Sequence, residues 1–223
     1  MTRYKNLKTG SSKILLPRDI YAQMEKAIRG NILDIGTREG FKLENILKRI
    51  KEDKIDKVIA IEPSSVYKET KVRFSHDGKV QIINKRIEDT EFAANYFDTI
   101  LMFDVIEHLS SVEDAMKRIT GWLKPNGVFI CCTPNKWLYR VTTWISLKKI
   151  EPTHVNEMRY KYFMKLMNTY FEKTRFLGTF PYMRLAKRFP VLFKIYPLLS
   201  SLLPSWMWLT VYCLATVPIK ENN

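Results

Sequence analysis

The stretch NILDIGTREG, residues 31–40, decides how this chain reads. Asn31 to Gly36 is a β-branched apolar run of strand length that ends in a glycine, a short polar turn and a second glycine, Gly40. A glycine at position 36 lets the backbone take positive φ and come close to a ligand, and the helix beyond starts with free N–H groups. Any tight strand-to-helix junction has the same outline, so this stretch needs support from its neighbours.

Downstream, FKLENILKRIKED puts Leu43, Ile46, Leu47 and Ile50 on one helical face. Further apolar runs follow at 57–62 (KVIAIE), 80–84 (VQIIN), 97–104 (FDTILMFD) and 127–133 (GVFICCT). Five strands separated by amphipathic stretches imply βα units around a mainly parallel sheet, an α/β doubly wound architecture. A helix from about Arg18 to Ile28 precedes the first strand, and another opens at the N-cap Ser111 and stops at Pro125 and Gly127.

After Asn135 the segments 137–149 and 156–171 read as helices rich in aromatic and basic residues, and TRFLGTF (174–180) reads as a strand. Residues 182–204 look like broken helix, and WMWLTVYCLATV (206–217), closed by Pro218, looks like a terminal strand. The 223 residues are read as one domain, with 30–135 as a cofactor-binding half and 136–223 as a substrate-side half containing a helical insertion at about 182–203.

With 46% hydrophobic and 27% charged residues, the chain is neither a disordered nor a uniformly membrane-embedded sequence. Its three cysteines, 131, 132 and 213, match neither a disulfide framework nor a zinc site, and no secretory core opens the chain, so a cytoplasmic setting is expected. The formal charge of +14 is uneven: residues 136–223 hold 14 Lys+Arg against 4 Asp+Glu. That basic excess suits an anionic partner or a solubilising face equally well.

From Ile195 to Ile219 no residue is charged, which is long enough for a membrane span, but Pro197, Pro204 and the intervening serines speak against one. Residues 182–203 fit either a basic-apolar helical pair on a membrane surface, lidding a greasy acceptor, or a packed insertion or dimer contact.

Glu62 stands at the end of the second run, 26 residues after Gly36, where a carboxylate can accept both hydrogen bonds of a ribose diol. The fourth run ends at Asp104 and leads into a turn holding Glu107 and His108. In order, LDIGTREG, AIEP, YFDTILMFDVIEHL, LKPNGVFICCTPN and HVNEM resemble the class I S-adenosylmethionine-dependent methyltransferases, above all the branch of ubiquinone-biosynthesis O-methyltransferases and saccharide- or lipid-modifying relatives. The resemblance covers residues from about 30 to 177.

It implies a seven-stranded Rossmann-like sheet with a C-terminal antiparallel hairpin, and S-adenosylmethionine as cofactor. By position, Asp34, Ile35, Gly36, Thr37 and Gly40 would line the methionine and ribose portion, Glu62 would hold the ribose hydroxyls and Pro63 would lie against the adenine. Ile87 and Glu88 would meet the adenine amino edge, Phe103, Asp104 and Val105 would pass beneath the methionine moiety, and His108 and Leu109 would close the pocket. His108 is either a base or a structural hydrogen-bonding residue; His154, before the helix that would cap the acceptor cavity, is the second catalytic candidate, since histidine suits proton removal near neutral pH.

Two positions depart from that family: Arg38 replaces the middle glycine of G-x-G-x-G, and Arg86 replaces an acidic residue two places before Glu88. The first leaves the loop either less tightly wrapped or with its arginine turned to solvent, and together they motivate a non-catalytic S-adenosylmethionine-binding protein as a rival. A nicotinamide or flavin enzyme loses ground because G-x-G-x-x-G is missing, and no G-K-[ST] marks a P-loop. A nucleic-acid methyltransferase would show [DNS]-P-P-[YFW] where this chain has DVIE; a protein substrate is a further alternative. Asp104, Glu107 and His108 lack a diagnostic metal spacing, so no metal is expected. The expected acceptor is therefore a small, saccharide or lipid-linked molecule, with an anionic membrane surface as a further partner.

Overall fold

A computed structural model describes residues 18–145, 155–179 and 204–219 of the chain; His154 and the 182–203 segment lie outside them. Helix α1 (Arg18–Ala27) leads into β1 (Gly30–Ile35), followed by α2 (Phe41–Leu47), β2 (Ile55–Ile61), α3 (Tyr67–Arg73) and β3 (Val80–Ile83). Then come β4 (Phe97–Phe103), a 3-10 turn (Ile106–His108), α4 (Val112–Trp122), β5 (Leu123–Pro134) and α5 (Lys136–Ile145). Helix α6 (Tyr160–Tyr170), β6 (Phe171–Thr179), a 3-10 turn (Ser205–Met207) and β7 (Thr210–Pro218) complete the order.

The strands form one 7-stranded sheet in the order β3-β2-β1-β4-β5-β7-β6. The first five run parallel, whereas β7 lies antiparallel to both β5 and β6. The doubly wound sheet with a terminal antiparallel pair is thus present, and β7 is inserted between β5 and β6.

The period-2 alternation of the strands separates two apolar layers. Leu33, Ile35, Ile100, Met102, Phe129 and Cys131 pack with Ala115, Met116 and Ile119 of α4 and with Phe163 and Met167 of α6. The intervening residues Ile32, Val58, Leu101, Phe103, Ile130 and Cys132 pack with Ile20, Tyr21 and Met24 of α1 and with Leu43 and Ile46 of α2. Covering both faces leaves the strand ends as the place where backbone and polar groups meet solvent.

Several boundaries differ from the sequence reading, two of them for a plain physical reason. The strand expected at 127–133 starts at Leu123, because the Pro125-Asn126-Gly127 segment is taken up as an irregularity: Phe97 pairs with Leu123 and Thr99 already with Val128. A proline lacks only the donor side of a ladder, so a bulge accommodates it. The strand expected from Trp206 starts at Thr210, since residues 205–207 close a 3-10 turn after Pro204.

Candidate active site

Strand β1 has β2 on one side and β4 on the other, and the sheet order reverses between β1 and β4. In open α/β sheets the crevice at such a reversal, beyond the carboxyl ends of the strands, is where ligands sit. Three strand ends deliver Gly36, Glu62 and Asp104 to that crevice. Gly36 has φ +72°, and a Cβ on it would collide with Val105 Cγ2, so the approach of the β1 and β4 ends requires glycine. Gly40, at φ +78°, lies under α3, where a Cβ would meet Phe74 at 2.8 Å and Thr70 at 3.0 Å.

Arg38 takes the left-handed conformation of the missing glycine, at φ +50°. Three bonds hold the loop there. The Arg38 N–H donates to Glu62 Oε2 at 2.8 Å, the Thr70 hydroxyl donates to the Arg38 carbonyl, and Arg73 Nε donates to the Glu39 carbonyl at 2.7 Å. The arginine side chain is 72% exposed and, among the described residues, reaches only Glu39, at 3.9 Å. Of the two alternatives for this position, the structure therefore has the loop tightly wound and the guanidinium turned outward.

Glu62 is buried, and its carboxylate is a hub. Besides Arg38, it accepts from the Ser64 N–H at 2.9 Å and the Ser64 hydroxyl at 2.6 Å, both on Oε1. Oε2 has the single Arg38 bond and keeps a lone pair for a ligand hydroxyl. Asn84 Nδ2 donates to the Glu62 carbonyl at 2.7 Å and fixes the strand end. Pro63 is exposed, Ile87 is buried in the core, and Glu88 accepts from the Ser110 hydroxyl at 3.3 Å.

Asp34 is buried, and burial above all pushes its carboxyl up to about 6, with the charge of Lys42 opposing and that of Glu62 adding. Thr37 lies close enough to draw that value down, yet among the described residues its own buried Oγ1 meets no partner in hydrogen-bonding geometry. At the β4 end Asp104, with φ +55°, receives an ion pair from Lys42 of α2 on Oδ2 and the Cys132 S–H on Oδ1 at 3.5 Å. Burial works against the Lys42 ammonium, but Asp104, Cys132 and Asp34 together outweigh it and hold the group above its usual range. Glu107 is almost wholly buried; burial first and the Asp104 charge second push its carboxyl up to about 8. Its Oε2 accepts from Thr133 Oγ1 at 3.1 Å, while Oε1 meets no partner among the described residues.

Phe103 and Leu109 are buried and Val105 is half-buried, so together they form the apolar edge of the crevice. His108 ends the 3-10 turn as an exposed residue, its N–H held by the Val105 carbonyl at 2.8 Å. The second catalytic candidate, His154, lies outside the described residues. Its neighbour in sequence, Asn156, donates from its backbone to the Glu107 carbonyl at 2.9 Å and from Nδ2 to the Leu109 carbonyl at 2.5 Å, tying the HVNEM segment to the 106–109 turn. Among the described residues no cluster of three His, Cys, Asp or Glu is arranged to hold a metal, and no helix is long and apolar enough to cross a membrane. A cavity of about 550 Å³ is lined by residues of 88–94 and of α4; neither Gly36 nor Glu62 lines it, and of the expected site residues it shares only Glu88.

The sequence reading missed Lys42, Thr70, Arg73 and Asn156. A lysine in a helical first turn looks like any solvated charge, and the long-range partners of the other three lie 29 to 49 residues away in the chain.

A family model described as a methyltransferase domain matches residues 14–170. No curated protein matches the chain. Among solved structures, a chain from a Haloferax volcanii complex of the Trm112 methyltransferase activator with a protein described as a methyltransferase superposes with TM-score 0.63 at 12% identity, over 92% of this chain and 90% of that one. The plantazolicin methyltransferase BpumL, solved in complex with SAH, superposes with TM-score 0.58 at 14% identity, over 88% and 80%. A SAM-dependent methyltransferase from Aquifex aeolicus gives TM-score 0.57 at 15% identity, over 90% and 89%.

Proposed function

The chain belongs to the methyltransferase domain family, and on that footing we propose that it transfers a methyl group from S-adenosylmethionine to an oxygen of a small-molecule, saccharide or lipid-linked acceptor. The observation that carries the cofactor reading is the meeting, at one topological switch point, of the glycine-bounded loop 36–40 with the buried Glu62 carboxylate. The residues fit such a group: Gly36 leaves no Cβ over the crevice floor, Thr37 Oγ1 is buried with no partner in bonding geometry among the described residues, and Glu62 Oε2 keeps an acceptor lone pair.

Glu62 would hold a ribose hydroxyl through Oε2; Ser64 Oγ must turn away from Oε1 before that oxygen can take the second. Asp34, Ile35, Thr37 and Gly40 would line the nucleoside and methionyl portion, Pro63, Ile87 and Glu88 the adenine, and Phe103, Asp104, Val105 and Leu109 the floor beneath the methionyl end. When bound, the cofactor supplies a sulfonium-activated methyl carbon, which is displaced in line by the acceptor. The chain's own task is then to hold the acceptor and accept its proton. His108, exposed on the 106–109 turn, would take that proton, a role that suits a histidine side chain, and His154 is the other candidate.

Residues 30–135 thus form the cofactor half and 136–223 the acceptor half. An apolar acceptor is supported by Trp137 and Trp206, each half-exposed, with ring centroids 5.8 Å apart beside the β5 end. The excess of 14 Lys+Arg over 4 Asp+Glu in the same half supports an anionic acceptor or membrane surface. Calorimetric titration of the full chain with S-adenosylmethionine and S-adenosylhomocysteine tests the reading: saturable binding of both is expected, and no heat from either up to millimolar concentration would refute it.

A further inference from the structure

Helix α5 leaves the carboxyl end of β5 and carries Lys136 and Arg140 with no acidic residue. Arg140 follows Trp137 by three positions and precedes Trp144 by four, so the three share one helical face. That face is open: Trp137 is 50% exposed, Trp144 79%, and Arg140 52% while its Nε donates to Glu157 Oε2 at 2.7 Å. Trp206, from the 3-10 turn before β7, joins it. Buried Asn135 donates from Nδ2 to the Trp206 and Trp208 carbonyls at 2.8 and 3.0 Å, and its N–H donates to the Leu209 carbonyl at 2.7 Å. The Trp206 backbone is thereby pinned where its ring meets Trp137. Among the described residues seven large apolar side chains are exposed, and all but Val72 lie between 137 and 219. Apolar exposure and positive charge therefore fall in the same half of the chain. Residues 146–154 and 180–203, which join the described chain after Trp144 and before Trp206, add Lys148, Lys149, Arg184, Lys187, Arg188 and Lys194 against Glu151 alone.

We propose that the face formed by Trp137, Arg140, Trp144 and Trp206 seats the chain on an anionic phospholipid bilayer. Indole rings settle at headgroup level because their bodies are apolar and their N–H groups polar, and basic side chains among them meet phosphate. An acidic protein surface would answer the charge and an apolar groove the indoles; anionic lipid answers both at once. A helix of ten residues with this make-up lies in the plane of the interface, and none of the described helices is long and apolar enough to cross it. Because α5 starts where β5 ends, the seated face lies beside the acceptor end of the crevice, and a lipid-linked acceptor reaches it without leaving the bilayer. That consequence rests on the proposed function; the contact itself rests on none of the observations that carry the cofactor.

Vesicle co-sedimentation of the full chain, with no cofactor present, tests the contact. Vesicles of phosphatidylcholine mixed with phosphatidylglycerol should pull down the wild-type chain at least roughly tenfold better than phosphatidylcholine alone, and added salt should weaken the binding. Trp144→Ser should weaken it roughly fivefold or more, and Trp144→Phe should keep most of it. Both variants should melt with the wild type and bind S-adenosylhomocysteine within about twofold of it. Should the serine disturb the fold, lipid brominated near the headgroup reads the same contact in the unaltered chain by quenching its indole fluorescence. Equal pelleting of wild type and Trp144→Ser, indifference to the anionic lipid, absence of quenching, or a wild-type chain left in the supernatant with both vesicles would overturn the proposal. A wild-type dimer that Trp144→Ser dissolves, with vesicles unbound, would give the face to a second copy and overturn it as well. Vesicle binding without any affinity for S-adenosylhomocysteine would sink the cofactor reading and leave this contact standing.

Discussion

Replacing Glu62 by Gln keeps the shape of the side chain and removes its charge. The carboxylate accepts from two backbone N–H groups on different oxygens, Arg38 on Oε2 at 2.8 Å and Ser64 on Oε1 at 2.9 Å. A carboxamide has one acceptor oxygen, so whichever way it turns, its NH₂ faces one of those donors. At least one charge-assisted bond is lost in a buried place, at about 1.5–3 kcal/mol. For a chain of this size a loss of about 2 kcal/mol lowers the melting temperature by roughly 4–8 °C. Affinity for S-adenosylhomocysteine should fall at least about tenfold, or 1.4 kcal/mol, because the acceptor facing the ribose is neutral and the 36–40 loop has lost its tie. Thermal unfolding without ligand reads the first effect and calorimetry the second. A variant that melts with the wild type and binds S-adenosylhomocysteine equally well would show that Glu62 neither ties the loop nor holds the nucleoside.

Three further substitutions separate the remaining parts. Arg38→Gly should leave S-adenosylhomocysteine affinity within about twofold and stability within about 1 kcal/mol, since relief of the left-handed strain offsets the entropy of a new glycine; a large affinity loss would mean that the guanidinium touches the ligand. Arg73→Met strips Glu44 of a 2.7 Å partner, leaving only Lys48 at 2.6 Å, and should destabilise by about 3 kcal/mol, most of it regained in Arg73→Met/Glu44→Leu; additive losses would contradict the pairing. The Glu107 carboxyl is raised from 4.5 to about 8, so the folded chain holds a proton that the unfolded chain releases, and stability falls as pH rises from about 4.5 to about 8. Glu107→Gln should remove most of that fall and gain most on the wild type above pH 8, leaving the smaller contribution of Asp34 below about pH 6. Parallel melting curves for the two proteins from pH 5 to 8.5 would sink this assignment.

What could be read from the chain beforehand follows from the range of the interactions. Gly36 announces positive φ because few other residues tolerate it, and it has it; Gly40 has it as well. Ser111 announces a helix start through a bond only three residues long, and the Asp114 N–H does donate to it, at 3.3 Å. The helix stop read at Pro125 and Gly127 lies past the observed end of α4 at Trp122, because the pairing of Phe97 with Leu123 starts the strand before it, which only the sheet as a whole imposes. Lys42 meets a carboxylate 62 positions on, and Asn156 a carbonyl 47 positions back. No spacing rule reports contacts of that range, because they are made by the crossing of the chain from one βα turn to another. Arg38 was ambiguous for a different reason: its sequence shows the side chain, whereas the part it plays is carried by its N–H and carbonyl.

The claim on which the rest depends is that the nucleoside lies between the 36–40 loop and Glu62. A crystal of the full chain grown with S-adenosylhomocysteine tests it directly: the account requires density for the ribose within hydrogen-bonding distance of Glu62 Oε2. Density for the nucleoside in some other cleft, such as the one beside α4, with the crevice at Gly36 empty, would contradict it.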